Sequence, residues 1–219
     1  MSKHVLIVTT SADQLENGHA TGLWLEEFAA PYLQFEKQGY KVTVASIEGG
    51  DVPIDANSLE GELPQEVLDT QHLLKDTARL DQVADDTYDA VFLPGGHGTV
   101  VDFPNSETLQ RVIRDTYEGG NVVAAVCHGP IGLVNVQLSN GEPLVKDKRV
   151  TGFTDSEERE MQLDSAVPFL LESAMRERGG KFDNADNWAV NVAVDERLVT
   201  GQNPQSSEQV GAEIVKLLG

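Results

Sequence analysis

Short apolar runs rich in β-branched residues recur along the first part of the chain, and segments with other patterns separate them. Four of these runs have the length and composition of buried strands: residues 4–10, 40–47, 88–93 and 121–126. Between some of them, apolar residues have the spacing of helices, at residues 22–38 and about 105–118. Gly39 and Gly119-Gly120 end these helices, and Pro31 predicts a kink in the first.

The second half of the chain has weaker patterns. Residues 149–153 predict a short strand or turn, and residues 157–178 hold an apolar cluster followed by a charged helical stretch. Two apolar runs flank Asp195-Glu196 and predict a hairpin, at residues 188–194 and 197–200. A C-terminal helix is predicted from four apolar residues at helical spacing: Val210, Ile214, Leu217 and Leu218.

This alternation of strands and helices predicts an α/β fold in which helices cover a mostly parallel sheet. Residues 48–87, rich in Asp, Glu, Gly and Pro, predict an excursion with one or two short helices. No long linker or repeat interrupts the pattern, so residues 1–219 are interpreted as one domain. Ligands of such sheets bind beyond the carboxyl ends of the strands, where the Gly95–Gly98 turn and Cys127 are expected.

Charge and composition narrow the possible partners. The chain has 36 acidic and 16 basic residues and a net charge of −20, which argues against binding to nucleic acid or an anionic membrane. The charge indicates either general solubility or a salt-rich cytoplasm. One cysteine cannot form an intramolecular disulfide, and no apolar run is long enough for a signal peptide or membrane span. The sequence therefore predicts a cytoplasmic protein.

Cys127 is the strongest candidate for chemistry. It follows an apolar strand run and lies between small residues, in the pattern of a strand-to-helix elbow that presents a nucleophile on a tight turn. If that turn opens a helix, the unpaired N–H groups and the helix dipole favour the thiolate. The His128 N–H is a natural oxyanion donor, and glycines at Gly95–Gly98 let a second N–H approach a ligand. That segment also fits an ordinary turn, with His97 facing solvent.

Two pairs of adjacent glutamates are the candidate carboxylates. Only one of Glu26 and Glu27 can point inward from a helix, and its spacing from Leu23 favours Glu27; a solvated carboxylate is the alternative. Glu157 and Glu158 follow Thr154-Asp155, which also fits a capped helix N-terminus. The chain has no pattern typical of a metal site or a phosphate-binding loop.

Five segments together resemble the ThiJ/PfpI superfamily. Within it they are most similar to the branch of glutathione-independent glyoxalases (glyoxalase III) and stress-induced chaperones. The segments are residues 21–27 with Pro31, 93–99, 124–130, 151–155 and 198–204. The resemblance implies a flavodoxin-like, three-layer α/β sandwich, a homodimer, and no metal or other cofactor.

The resemblance also implies roles for individual residues. Glu27 would hydrogen-bond the Cys127 thiol, and His128 and Glu158 would complete a Cys-His-Glu arrangement, with Glu157 as the alternative if the register slips. Gly96 and His128 would supply oxyanion N–H groups, and His97 would lie at the substrate site.

The implied reaction converts methylglyoxal or a related 2-oxoaldehyde into a 2-hydroxy acid, D-lactate for methylglyoxal. Cys127 would form a hemithioacetal, and Glu27 would move a proton between the two carbons before hydrolysis. Reversal of early glycation adducts is a possible extension. A glutamine amidotransferase is disfavoured because no histidine follows His128. A PfpI-type cysteine peptidase, a holding chaperone and a cysteine redox sensor are the alternatives.

Overall fold

The computed structural model describes residues 2–219. The strands are β1 His4–Thr9, β2 Lys41–Ser46, β3 Ala78–Arg79, β4 Ala90–Leu93, β5 Val122–Val126, β6 Arg149–Val150, β7 Lys181–Phe182, β8 Val192–Asp195 and β9 Leu198–Gly201. Seven of them form one sheet in the order β3-β2-β1-β4-β5-β9-β8, and the two short strands β6 and β7 form a separate parallel pair.

Only β8 runs antiparallel within the large sheet, through its hairpin with β9. The helices are α1 Leu25–Lys37, α2 Gln65–Asp69, α3 Leu80–Val83, α4 Thr99–Asp102, α5 Glu107–Glu118, α6 Asp155–Glu160, α7 Leu171–Glu177 and α8 Ser207–Leu218. The predicted flavodoxin-like α/β class is confirmed. The large sheet takes strands from residue 4 to residue 201, and the one-domain interpretation stays a prediction.

The strand order changes direction between β1 and β4. From β1 the chain crosses through α1 to β2 on one side, and from β4 it crosses through α5 to β5 on the other. Because such crossovers are right-handed, α1 and α5 cover opposite faces of the sheet. The crevice at the carboxyl ends of β1 and β4 is therefore a topological switch point, where ligands of these sheets bind.

Burial on both faces explains the continuous apolar runs of the central strands. All residues of β4 and β5 are buried, as are the last five residues of β1. Helix α8 lies on β5 and β9 and packs against α1. In α8, Val210, Ile214 and Leu218 are buried as predicted, but Leu217 is 39% exposed, so its assignment to the buried face is wrong.

Several predicted boundaries shift for local reasons. Helix α1 begins at Leu25 rather than residue 22, because Leu23 pairs with Ile54 in an isolated β-bridge. The helix continues through Pro31 to Lys37. The predicted hairpin is present, but β8 begins only at Val192. No helix among residues 2–219 is both long and apolar enough to cross a membrane.

Candidate active site

Cys127 lies on a sharp turn directly after β5. Its φ angle is +58°, in the left-handed region that strains a non-glycine residue. The Cys127 N–H donates to the Gly201 carbonyl at 3.0 Å, and the Cys127 carbonyl accepts from the Phe153 N–H at 2.8 Å. Gly129 lets the turn pack on β4, since a Cβ there would lie 2.1 Å from the Leu93 carbonyl oxygen. The predicted elbow is present, and its thiol residue is 4% exposed.

Glu27 is a buried carboxyl group in the first turn of α1. Its neighbour Glu26 is exposed, as the angular separation of adjacent helical residues predicts. Glu27 Oε2 accepts a hydrogen bond from the Gly95 N–H at 2.7 Å. Oε1 has no well-aligned partner among residues 2–219, and the Cys127 thiol is the nearby donor that interacts with this carboxylate. Burial raises the pKa of Glu27 to about 8, so the group can take up and release a proton near neutral pH.

The Cys127 thiol is less acidic than expected from the sequence. Burial raises its pKa well above the usual value, and the charge and hydrogen bonding of Glu27 raise it further, against a smaller opposing effect of the His128 N–H. The turn opens only a five-residue 3₁₀ helix, Gly129–Leu133, which has a small dipole. The expectation that a helix N-terminus favours the thiolate is therefore wrong. Cys127 and Glu27 form a coupled pair in which the carboxylate can accept the proton of the thiol.

Two histidines share the carboxylate of Glu158. His128 Nε2 lies 2.6 Å from Oε2, and His97 Nε2 lies 2.6 Å from Oε1. Burial acts to raise the pKa of Glu158, but the charge of His128 and both hydrogen bonds outweigh it and hold the pKa well below its usual range. His128 Nδ1 is 3.5 Å from Cys127 Sγ. The fold thus joins Cys127, His128, Glu158 and His97 in one continuous chain of contacts.

One interpretation of the Gly95–Gly98 turn had His97 facing solvent, but the side chain is buried. It is 8% exposed, and its ring centroid lies 3.9 Å from that of His128. Burial, followed by the charge of His128, lowers the pKa of His97. The imidazole is therefore mainly neutral at neutral pH.

The backbone N–H groups of Gly96 and His128 both lie at the cavity beside Cys127, and the His128 N–H interacts with the thiol. Neither donates to a carbonyl or carboxylate among residues 2–219. Gly96 has φ +90°, and a Cβ there would lie 2.2 Å from the Gly22 carbonyl oxygen. Glycine is therefore required for this turn to pack against the segment before α1.

A cavity of about 230 Å³ connects these groups. Glu27, Gly96, His97, Cys127 and His128 all line it, and five large side chains form most of its apolar wall: Trp24, Phe153, Met161, Leu163 and Trp188. Its volume is below the roughly 300 Å³ at which pockets for drug-sized ligands begin. The site is suited to a small molecule of a few heavy atoms.

Glu157 is buried beside Glu158 but has different contacts. Its Oε2 accepts from the Thr154 N–H at 3.0 Å, completing a capping box at the start of α6. Its Oε1 accepts from three donors between 2.9 and 3.1 Å: Trp188 N–H, Gln202 Nε2 and Asn203 Nδ2. Glu157 therefore connects α6 with the segments that precede β8 and follow β9, and only Glu158 contacts the histidines.

Glu157→Gln is expected to destabilise the fold by about 2–4 kcal/mol, because the new amide N–H₂ opposes buried donors. Urea unfolding should place its midpoint clearly below that of the wild type. Glu66→Gln, an exposed change on α2, is the control and should leave the midpoint unchanged. An unchanged midpoint for Glu157→Gln would contradict a connecting role.

His97, His128 and Glu158 are also the side chains best placed to hold a metal ion. One ligand atom from each lies within 4.8 Å of the other two. Both carboxylate oxygens already accept short hydrogen bonds from the histidines, which a metal ion would have to replace. The grouping joins residues far apart in sequence, so no local motif indicates it.

Some cavity residues have no clear signal in the sequence. Asp55 lines the cavity from the 48–87 excursion, which has no regular periodicity. The Phe153 ring lies beside the His128 ring, 4.3 Å away between centroids and tilted by 35°, and Trp188 packs against Phe153. Phe153 belongs to the 151–155 segment that carries the family resemblance, which is the one signal that could have identified it.

The fold and site define an α/β protein in which a cysteine on a strained turn after a central strand lies beside a buried histidine and glutamate. Residues 19–217 match the DJ-1/PfpI family, and the chain belongs to this family. The resemblance deduced from the sequence is confirmed.

Individual relatives narrow the position within the family. The chain is 31% identical to glyoxalase 3 of Candida albicans, covering 96% of both chains. It is 32% identical to the glutathione-independent glyoxalase HSP31 of Saccharomyces cerevisiae, covering 99% of this chain and 98% of the relative. Its fold matches the crystal structure of glyoxalase III from Candida albicans with a TM-score of 0.85 and 30% identity, covering 98% of this chain and 97% of that one.

Proposed function

We propose that this protein is a cofactor-independent glyoxalase that converts methylglyoxal or related 2-oxoaldehydes to 2-hydroxy acids, with D-lactate as the product from methylglyoxal. One observation carries the proposal. A nucleophilic thiol, Cys127, and a buried carboxyl group with a pKa of about 8, Glu27, lie together in a small cavity. The similarity to named glyoxalases over nearly the whole chain supports the same activity.

The first step forms a hemithioacetal. Cys127 Sγ bonds to the aldehyde carbon while the thiol proton passes to Glu27, and the carbonyl π electrons move to the oxygen. The Gly96 and His128 N–H groups stabilise the resulting oxyanion. Glu27 then returns the proton to this oxygen and is again free to act as a base.

The second step moves hydrogen between the two carbons. Glu27 takes the C1 proton to give an enediol and delivers it to C2, while the C1 hydroxyl proton passes to the C2 oxygen through the neighbouring histidines. C1 is thereby oxidised and C2 reduced, so no external oxidant is required. Water then hydrolyses the Cys127 thioester, which releases the 2-hydroxy acid and restores the thiol.

His97 and Glu158 are proposed to position His128. In the neutral form of each imidazole, donation of Nε2–H to Glu158 leaves Nδ1 unprotonated. For His128 this nitrogen is the one beside the Cys127 sulfur. The shared carboxylate thus fixes the tautomer in which His128 can accept a proton from the thiol or the substrate hydroxyl.

The alternatives are less well supported. A peptidase needs a groove for an extended chain, whereas the Cys127 cavity holds about 230 Å³. A redox sensor needs an exposed, acidic thiol, whereas burial raises the pKa of Cys127. Holding-chaperone activity, a homodimeric state and a cytoplasmic location stay predictions from the sequence.

The proposal is tested with purified protein, methylglyoxal and no added thiol cofactor. We expect stoichiometric D-lactate, measured with a stereospecific lactate dehydrogenase. Glutathione should not raise kcat/KM once its spontaneous adduct with methylglyoxal is accounted for. If correctly folded protein forms no lactate from methylglyoxal, the proposed activity is ruled out.

A further inference from the structure

The cavity around Cys127 carries negative charge that no basic side chain offsets. The carboxylates of Glu26 and Asp55 line it, and no lysine or arginine lies among its lining residues within the described chain, 2–219. Among residues 2–219, neither Glu26 nor Asp55 forms an ion pair with a lysine or arginine. A substrate in this cavity therefore meets an uncompensated negative potential.

Asp55 is held in place to act on the site. It is 5% exposed, and its oxygens accept hydrogen bonds from the Thr21 hydroxyl at 3.1 Å and the Asn57 N–H at 2.9 Å. Burial is the main cause of the raised pKa of Glu27, and the charge of Asp55 adds a smaller rise. At His97 burial lowers the pKa, and the charge of Asp55 opposes it with a smaller effect. The field of Asp55 therefore reaches the groups proposed to carry out the chemistry.

The histidines do not cancel this field. Burial lowers the pKa of His97 and favours its neutral form. Any positive charge on His128 is balanced by Glu158, which lies 2.6 Å from its Nε2. The remaining imidazole, His19, is exposed at the edge of the cavity.

We propose that Glu26 and Asp55 make this site selective for uncharged 2-oxoaldehydes, and that it rejects compounds in which the same head group carries a carboxylate or phosphate. This inference rests on the proposed glyoxalase function and names the substrate class of that site. Like charges placed close together in a partly desolvated cavity repel strongly. The same repulsion acts on the product, because hydrolysis of the thioester creates a carboxylate inside the cavity. Selection of neutral substrates and release of the anionic product then have one cause.

The test compares 4,5-dioxopentanoate with its methyl ester, which share the 2-oxoaldehyde head and differ in terminal charge. We expect the wild type to have a kcat/KM for the ester at least about tenfold above that for the acid, a ratio that requires only ~1.4 kcal/mol. Measurement in 0.5 M KCl screens the long-range effect of the net charge of −20. The preference should persist there, because the two carboxylates act at short range.

Variants assign the effect to the two side chains. Glu26→Gln and Asp55→Asn should each lower the ester-to-acid ratio about threefold or more. Asn retains the oxygen that accepts from Thr21 or Asn57, so thermal melting should show a folded protein. Glu66→Gln removes the same charge from a surface outside the cavity and should leave the ratio unchanged.

Two results would overturn the inference: equal kcat/KM for acid and ester in the wild type, or an equal change of the ratio in Glu66→Gln and the cavity variants. Neither is the same as failure of the proposed function. If the proposed function failed, the wild type would convert neither the ester nor methylglyoxal. A glyoxalase without charge selection would instead convert the acid and the ester equally.

Discussion

Cys127→Ser is expected to lower kcat/KM for methylglyoxal by about a thousandfold or more, because the proposed reaction proceeds through a covalent bond to sulfur. An alkoxide is much harder to form than a thiolate at neutral pH, and Glu27, with a pKa of about 8, is too weak a base to generate it. The measurement is D-lactate formation at several substrate concentrations. The thioester intermediate should also disappear from mass spectra of acid-quenched enzyme.

The single cysteine offers an independent control. Cys127 is the only thiol in the chain, so complete loss of activity should coincide with incorporation of one carboxamidomethyl group per chain. Serine is close to cysteine in size and should preserve the elbow, which circular dichroism and thermal melting can verify. A folded Cys127→Ser protein with a tenth or more of the wild-type activity would disprove covalent catalysis by this residue.

The sequence was most informative where local geometry determines the structure. The apolar runs identified β1, β4 and β5 within a few residues, because strands buried on both faces need continuous apolar sequence. The run that identified β2 alternates instead, and this strand is only partly buried. The small residues around Cys127 indicated the elbow, since only glycine at Gly129 avoids the Leu93 carbonyl. Helical geometry was sufficient to separate buried Glu27 from exposed Glu26.

Tertiary contacts determine the features of the site that could not be predicted from the sequence. Glu157 and Glu158 both lie in the first turn of α6, and the approach of His97 and His128 to Glu158 alone distinguishes them. The acidity of Cys127 was predicted in the wrong direction because burial and Glu27 outweigh the backbone at the elbow. Asp55 comes from an irregular segment, so its position at the cavity depends on how that segment folds against α1.

Glu27→Gln is expected to lower kcat by about 10²–10⁴-fold, because the amide cannot take the C1 proton to C2. The Gln oxygen can still accept from the Gly95 N–H, so the turn that carries Gly96 should keep its geometry. KM should change much less than kcat, since the thiol and oxyanion donors remain. A Glu27→Gln enzyme with near wild-type kcat would assign the proton transfer to another group, with His128 the next candidate.

The same substitution should change how stability depends on pH. Burial raises the pKa of Glu27 from an ordinary value near 4.5 to about 8, so between these values the folded protein binds more protons than the unfolded chain. The free energy of unfolding contributed by this group is therefore fully present below pH 4.5 and is lost as the pH rises through 8. The glutamine amide does not ionise, so Glu27→Gln does not lose stability in this way. Its melting temperature relative to that of the wild type should therefore increase from pH 5 to pH 9. As the control, Glu66→Gln should keep a constant difference in melting temperature from the wild type over that range. A constant difference for Glu27→Gln as well would mean that the buried carboxyl group is ionised throughout, which would contradict the prediction.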